Sequence, residues 1–208
     1  MTKLLEVQIA PDDLEFLKTN QYLLCFAKMS QSYNSAIIWQ CFSDYLQNNP
    51  LSWPVQYQVF GSSSFITGGV ATIDTNTATI ALGQQIILSA DATFQSPVVG
   101  GPANSFMIHN EYRQKIYLGF GGAAIGPDGV SRMTPIFVMP TPASDFNAFT
   151  PVEIVKVWFQ QNVVTGTIVD STSIANSIDI DLRTRDFGKL LYRGGKWSEQ
   201  TGAWSNTL

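Results

Sequence analysis

Residues 42–60 read FSDYLQNNPLSWPVQYQVF. The last six alternate, with Val55, Tyr57 and Val59 on one face and Gln56 and Gln58 on the other, the period of two expected of a half-buried β-strand. Ahead of them Asn48-Asn49-Pro50 predicts a turn, and Trp53-Pro54 marks the entry to the strand. Working outward, YLLCFAKM (22–29) and SAIIWQCF (35–42) are β-rich runs on either side of the polar SQSYN (30–34), the pattern of a hairpin. ATIDTNTATIAL, QQIILSA, QKIYLGF, TPIFVMP, VEIVKVWFQ, SIDIDL and KLLYRGG continue the series, separated by Gly- and Pro-rich stretches such as SPVVGGPANS and GGAAIGPDG. Only APDDLEFLK (10–18) has a helix start, with Asp12 or Asp13 as its expected cap. The chain reads as all-β.

The opening stretch returns later as ASDFNAFTPVEIVKVWF (143–159). Ser43-Asp44-Tyr45 is echoed by Ser144-Asp145-Phe146, Trp53-Pro54-Val55 by Thr150-Pro151-Val152, and Val59-Phe60 by Val157-Trp158. Further echoes keep the same order: YLLCFAK (22–28) with IYLGFGG (116–122), VFGSSSFITGGV (59–70) with VWFQQNVVTGTI (157–168), and GQQIIL (83–88) with GKLLYR (188–193). These matches predict two related halves, 1–98 and 99–208, forming an antiparallel β-sandwich. In that reading the repeated stretch is an architectural corner.

Composition narrows the function. Charged residues make up 13% of the chain, against roughly a quarter in ordinary domains. Ser, Thr, Asn and Gln carry most of the polarity, a surface that permits self-association. The formal net charge is −4, and no Lys or Arg occurs between Lys28 and Arg113, which opposes a nucleic acid partner. No apolar run approaches the ~20 residues that span a bilayer, and no signal-peptide core or glycosylation sequon is present. Cytoplasmic synthesis, with release left open, is the expectation for localisation.

Residue types that carry chemistry are sparse. His109 is the single histidine, and no G-x-S-x-G accompanies it, so a nucleophilic relay is not expected. One His and two separated Cys do not make a usual zinc site, and no metal or other cofactor is expected. If the 30–34 hairpin centres near Tyr33, Cys25 and Cys41 stand opposite each other, either as a cross-strand bridge or, as expected, as buried thiols. Asp179 and Asp181 share a strand face in SIDIDL, a pair that would suit acid–base work, but a solvated outer face with Arg183 and Arg185 nearby is the better reading. GFGGAAIG follows a strand but opens no helix, which argues against a dinucleotide site.

What remains is surface recognition. With 5 Trp, 7 Tyr and 13 Phe, the chain is rich in aromatics for so few charges. Trp39, Trp53 and Trp158 sit in strand patterns that predict core positions, whereas Trp197 and Trp204 lie in the polar GGKWSEQTGAWSN (194–206). A non-enzymatic protein of lectin or cytolysin type, binding a glycan or lipid surface, is the function expected, with Trp197, Trp204, Tyr45, Trp53 and Phe146 as candidate ligand-binding residues. In a cytolysin, the Ser/Thr-rich segment from Gly61 to Phe94 would be the membrane-inserting hairpin. A structural or self-assembling β-protein, and a hydrolase using Asp179 and Asp181, are the alternatives.

Overall fold

A computed structural model describes residues 2–29, 35–140 and 142–201. Among them are eighteen strands and one helix. The first half of the series runs β1 (Thr2–Ile9), α1 (Pro11–Thr19), β2 (Leu23–Lys28), β3 (Ser35–Ile37), β4 (Gln40–Phe42), β5 (Asn48–Pro54), β6 (Tyr57–Ser62), β7 (Ala78–Ile80), β8 (Gln84–Leu88) and β9 (Val98–Val99). The second runs β10 (Phe106–Asn110), β11 (Tyr117–Ile125), β12 (Ser131–Val138), β13 (Phe146–Phe149), β14 (Ile154–Gln160), β15 (Ile168–Asp170), β16 (Ser177–Asp181), β17 (Phe187–Arg193) and β18 (Lys196–Glu199). The chain is an all-β sandwich, as its periodicity predicts.

The strands form an eight-stranded sheet, two four-stranded sheets (β13-β10-β8-β9 and β16-β14-β2-β4) and the small pair β15-β3. The large sheet contains two blocks, β18-β17-β1-β5 and β7-β6-β11-β12, joined where Ile125 of β11 meets Ser52 of β5. Every sheet takes strands from both 1–98 and 99–208, so neither span holds a complete layer. All ladders are antiparallel except β1 with β17 and β10 with β8. The N-terminal strand is thereby zipped to the C-terminal region. Lys3, nearly fully buried, completes that seam, donating to the carbonyls of Leu182 and Arg185 (2.8 and 2.9 Å) and to Asp186 Oδ1 (2.8 Å).

Registers match in pairs. Cys25 of β2 stands opposite Trp158 of β14, and Gly119 of β11 opposite Phe60 of β6. Val7 of β1 lies between Asn49 of β5 and Leu190 of β17, while Ile108 of β10 lies between Asn147 of β13 and Ile86 of β8. Both asparagines are buried and close the same corner. Asn49 accepts from the Leu46 N–H and donates to the Leu46 carbonyl (both 2.6 Å), and Asn147 does likewise with Ser144 (3.1 and 2.6 Å). A side chain that satisfies both backbone groups of a tight turn explains why asparagine is the second strand residue in each place.

By these corner bonds Asn49 stands with Asn147, three residues away from the alignment in which the echo sets Tyr45 with Phe146. Phe146 occupies the place that matches Asn48, the first residue of its strand, and not the place that matches Tyr45. Strand entry leaves Phe146 on the outside, 63% exposed, whereas Tyr45 sits before its corner and is fully buried.

The core holds one cluster of charges. Glu153, immediately before β14, accepts both oxygens' worth of bonds from Lys28 Nζ (2.9 and 3.0 Å), and also from Trp53 Nε1 and Tyr57 Oη (2.8 Å each). Lys28 Nζ lies 5.0 Å from the Trp39 ring, 5.3 Å from Trp53 and 5.6 Å from Tyr57. A buried charge survives only when paired and hydrogen-bonded, and here both conditions are met. Burial alone would push the Glu153 carboxyl up, but the Lys28 ammonium and the two ring donors hold it below its ordinary value. Burial in turn pulls Lys28 down, with Glu153 opposing.

Candidate functional site

Helix α1 starts at Pro11, where a missing N–H costs nothing. Its cap residue is Ala10, with no side-chain cap bond, so neither Asp12 nor Asp13 caps the helix. Asp13 reaches across instead to the turn between β17 and β18, accepting from Gly194 N–H (2.7 Å) and Gly195 N–H (3.0 Å). Both glycines have positive φ, as a tight two-residue hairpin turn requires. The helix is thus fastened over the end of the sheet.

Between α1, the end of β14 and β17 lies a cleft of about 550 Å³, within the range of roughly 300–1,000 Å³ common for small-molecule sites. Phe16, Tyr22, Phe159 and Tyr192 supply aromatic wall, and Gln160, Gln161, Asn162, Ser173 and Asn176 supply amides and a hydroxyl. No residue lining it carries a formal charge. Phe16 is 60% exposed, a large ring held in water beside its neighbour Tyr22 (ring centroids 6.4 Å apart).

Trp197 backs this wall. Its ring stacks on Phe159 at 5.2 Å with an interplanar angle of 11°, and lies 4.8 Å from Tyr192. Its indole N–H donates to the Asn176 carbonyl (3.0 Å), and the Asn176 amide donates to the Tyr192 hydroxyl (3.2 Å). Trp197 therefore folds back onto the sheet and shapes the cleft from behind.

The other candidates from the sequence scatter. Trp53 is fully buried and spends its N–H on Glu153. Tyr45 is fully buried beneath the cleft, packing on Phe159 (5.6 Å) and donating to the Tyr22 carbonyl (2.9 Å). Neither has surface to offer a ligand, because inward-facing positions next to β5 hold the sandwich core. Phe146 is exposed but lies on a different sheet, stacked on His109 at 4.5 Å. Trp204 lies outside the described residues, as does Tyr33. None of the four described candidates lines the cleft, and Trp197 reaches it only from behind, through Phe159 and Tyr192. Phe16, Tyr22, Phe159, the amide run Gln160-Gln161-Asn162, Asn176 and Tyr192 went unnoticed in the sequence. FQQN at a strand end was the available signal: exposed amides directly after a buried strand.

Asp179 and Asp181 are each engaged by a cation, Asp179 with Lys156 (2.7 Å) and Asp181 with Arg183 (2.6 Å). The Arg183 hydrogen bonds hold Asp181 down at about 2, the opposite of the raised value a general acid needs. Cys25 and Cys41 do stand opposite each other on β2 and β4, and both are free thiols, Cys25 buried and Cys41 half-buried. Within Gly61–Phe94, β7 and β8 lie in different sheets, so they are not the arms of one hairpin. Asn76 ties that segment down by bonding both backbone groups of Phe94 (3.1 and 2.8 Å). Among the described residues no group of three or more His, Cys, Asp or Glu could hold a metal ion, and no helix is long and apolar enough to cross a membrane.

No protein-family model matches the chain, and no curated protein and no solved structure matches it either.

Proposed function

We propose that this chain is a non-enzymatic recognition protein that binds a neutral glycan in the cleft beside α1. The observation carrying this reading is the lining: aromatic rings and amides together, with no charged group among them. Sugars offer hydroxyls that pair with amide donors and acceptors, and apolar C–H faces that rest on the negative face of an aromatic ring. An anionic headgroup or a phosphate would find no cation in that lining.

Binding to immobilised neutral oligosaccharides, compared with sialylated and sulfated ones and with phosphatidylcholine vesicles, tests the reading. Binding to the neutral set that is unchanged by added salt is expected. Sedimentation with the vesicles and no binding to any sugar would replace it with lipid recognition.

Self-association is a second reading with its own observation. Strand β9 pairs with β8 on one side only and presents Val98 at 56% and Val99 at 86% exposure. An apolar, unpaired edge is a template for another strand. If that edge joins copies, Val99→Lys shifts the sedimentation of a concentrated sample to monomer.

The matched registers support a further part of this proposal, that the two halves descend from one repeat whose copies exchanged strands. β2 and β6 of the first half pair with β14 and β11 of the second, as two exchanged copies would.

A further inference from the structure

The matched ladders allow the cleft to be compared with its equivalent place elsewhere in the molecule. Because Leu23 pairs with Gln160 and Tyr117 with Ser62, Tyr22 corresponds to Ile116 and Phe159 to Gly61. Because Ile9 pairs with Tyr192 and Asn110 with Leu88, Tyr192 corresponds to Leu88. The asparagine corners set Tyr45 against Ala143. Four aromatic positions on one side are thus aliphatic or glycine on the other.

The second place is shut. A side chain at Gly61 would meet Ile116 Cδ1 at 2.5 Å and Thr75 Cγ2 at 2.8 Å, so those two residues fill the volume that Phe159 occupies on the cleft side. Leu88 is fully buried there. The Tyr22 carbonyl receives the Tyr45 hydroxyl (2.9 Å), whereas the Ile116 carbonyl receives the Ala143 backbone N–H (2.7 Å). The same strand frame is satisfied without any of the four rings. The segment joining β10 to β11 also carries no helix, while α1 joins β1 to β2.

We infer that the half-buried rings of Tyr22 and Phe159, backed by the largely buried Tyr192, form a specificity element and not a packing requirement of the fold, and that the described residues hold a single site of this kind. The inference rests on the glycan reading above and refines it. The ligand is a neutral saccharide that presents the apolar face of a pyranose ring to this wall while its hydroxyls meet Gln161, Asn162 and Asn176. The shut place shows what the frame accepts instead, which makes its residues the natural substitutions to test. Tyr192→Leu also removes the hydroxyl that the Asn176 amide bonds (3.2 Å), leaving that amide its bond to the Gly195 carbonyl (3.1 Å).

The experiment is titration calorimetry of the intact chain and of the double variant Tyr22→Ile/Tyr192→Leu with neutral tetrasaccharides of glucose, mannose and N-acetylglucosamine, alongside thermal melts. The expected result is one tetrasaccharide per chain, a cooperative melt within a few degrees of the parent, and binding weakened by at least about tenfold. Unchanged binding by a folded double variant overturns the specificity role while leaving the glycan reading intact. Two sites per chain overturns the single-site claim. Loss of the cooperative melt in both the double variant and Tyr22→Ile alone shows that the wall is a packing requirement. If the parent chain binds none of the tetrasaccharides, the glycan reading falls and this inference with it.

Discussion

Around Glu153, aromatic rings and polar side chains close upon one another; in the cleft beside α1, the same kinds of residue stand open to water. Glu153 takes four hydrogen bonds from Lys28, Trp53 and Tyr57, and the ammonium is enclosed by three rings. In the cleft, Gln161, Asn162, Ser173 and Asn176 are exposed, and Phe16 is largely so. The difference lies in charge and in closure. A buried charge demands complete satisfaction from within the chain, whereas neutral amides at a surface are satisfied by water and can exchange it for a ligand. The first place is a structural device that resembles a binding cage already filled by its own lysine, and the second is an open cleft of half-buried rings and exposed amides.

That contrast can be broken most severely at its closed end. Glu153→Ala leaves Lys28 buried without a partner and is expected to cost about 3–5 kcal/mol, read as a lower midpoint in urea. A loss under about 1 kcal/mol would mean that water or another residue takes over the role. Trp53→Phe keeps the ring against Trp39 and removes one donor to the carboxylate, with an expected cost of about 1–3 kcal/mol. In a double-mutant cycle with Glu153→Gln, the two effects are expected to be non-additive.

Acid sharpens the same point. Since Glu153 is held below its ordinary value, its ionised form favours the folded state. That contribution is complete above the unfolded value of about 4.3 and is lost as pH falls through the depressed folded value. Melting temperature is expected to be flat from neutral pH down to the unfolded value and to drop below it, less so in Glu153→Gln. An equal drop in the variant would assign the acid limb to other carboxylates.

At the open end the expected stability effect is the least. Asn162→Gly, which keeps the left-handed backbone of Asn162 (φ 57°) without strain, is expected to change stability by less than about 1 kcal/mol while weakening binding of neutral oligosaccharides. Equal stability and equal affinity would remove Asn162 from the site.

Much of the fold was legible in local pattern. VQYQVF placed Tyr57 and Val59 inward, and both are buried. The facing of Cys25 and Cys41 followed from counting outward from a turn. Trp39, Trp53 and Trp158 were readable as core from their strand context, and all three are buried. The echo sets Asp145-Phe146 against Asp44-Tyr45, three residues off the register in which Asn49 and Asn147 make the same corner bonds. Chemical likeness between Asp44-Tyr45 and Asp145-Phe146 outweighed the asparagines, whose role depends on backbone bonds that a sequence does not display. That slip is why Phe146 and Tyr45 were grouped although one is exposed and the other buried.

The cleft was far less legible. Its walls come from α1, from Tyr22, from the end of β14, from 169–176 and from β17. No local period joins these segments, because each is brought there by pairing to a different strand. Periodicity and turn chemistry act over a few residues, and they settled that the chain is nearly all β and which faces of strands such as VQYQVF point inward. Which strands meet, whether a ring at a strand end is covered, and where a neutral hollow is left open are decided by contacts between segments distant in sequence, more than a hundred positions apart for β1 with β17 and β2 with β14. The zipping of β1 to β17 and of β2 to β14 made those choices, since only the assembled layers determine which side chains keep their water.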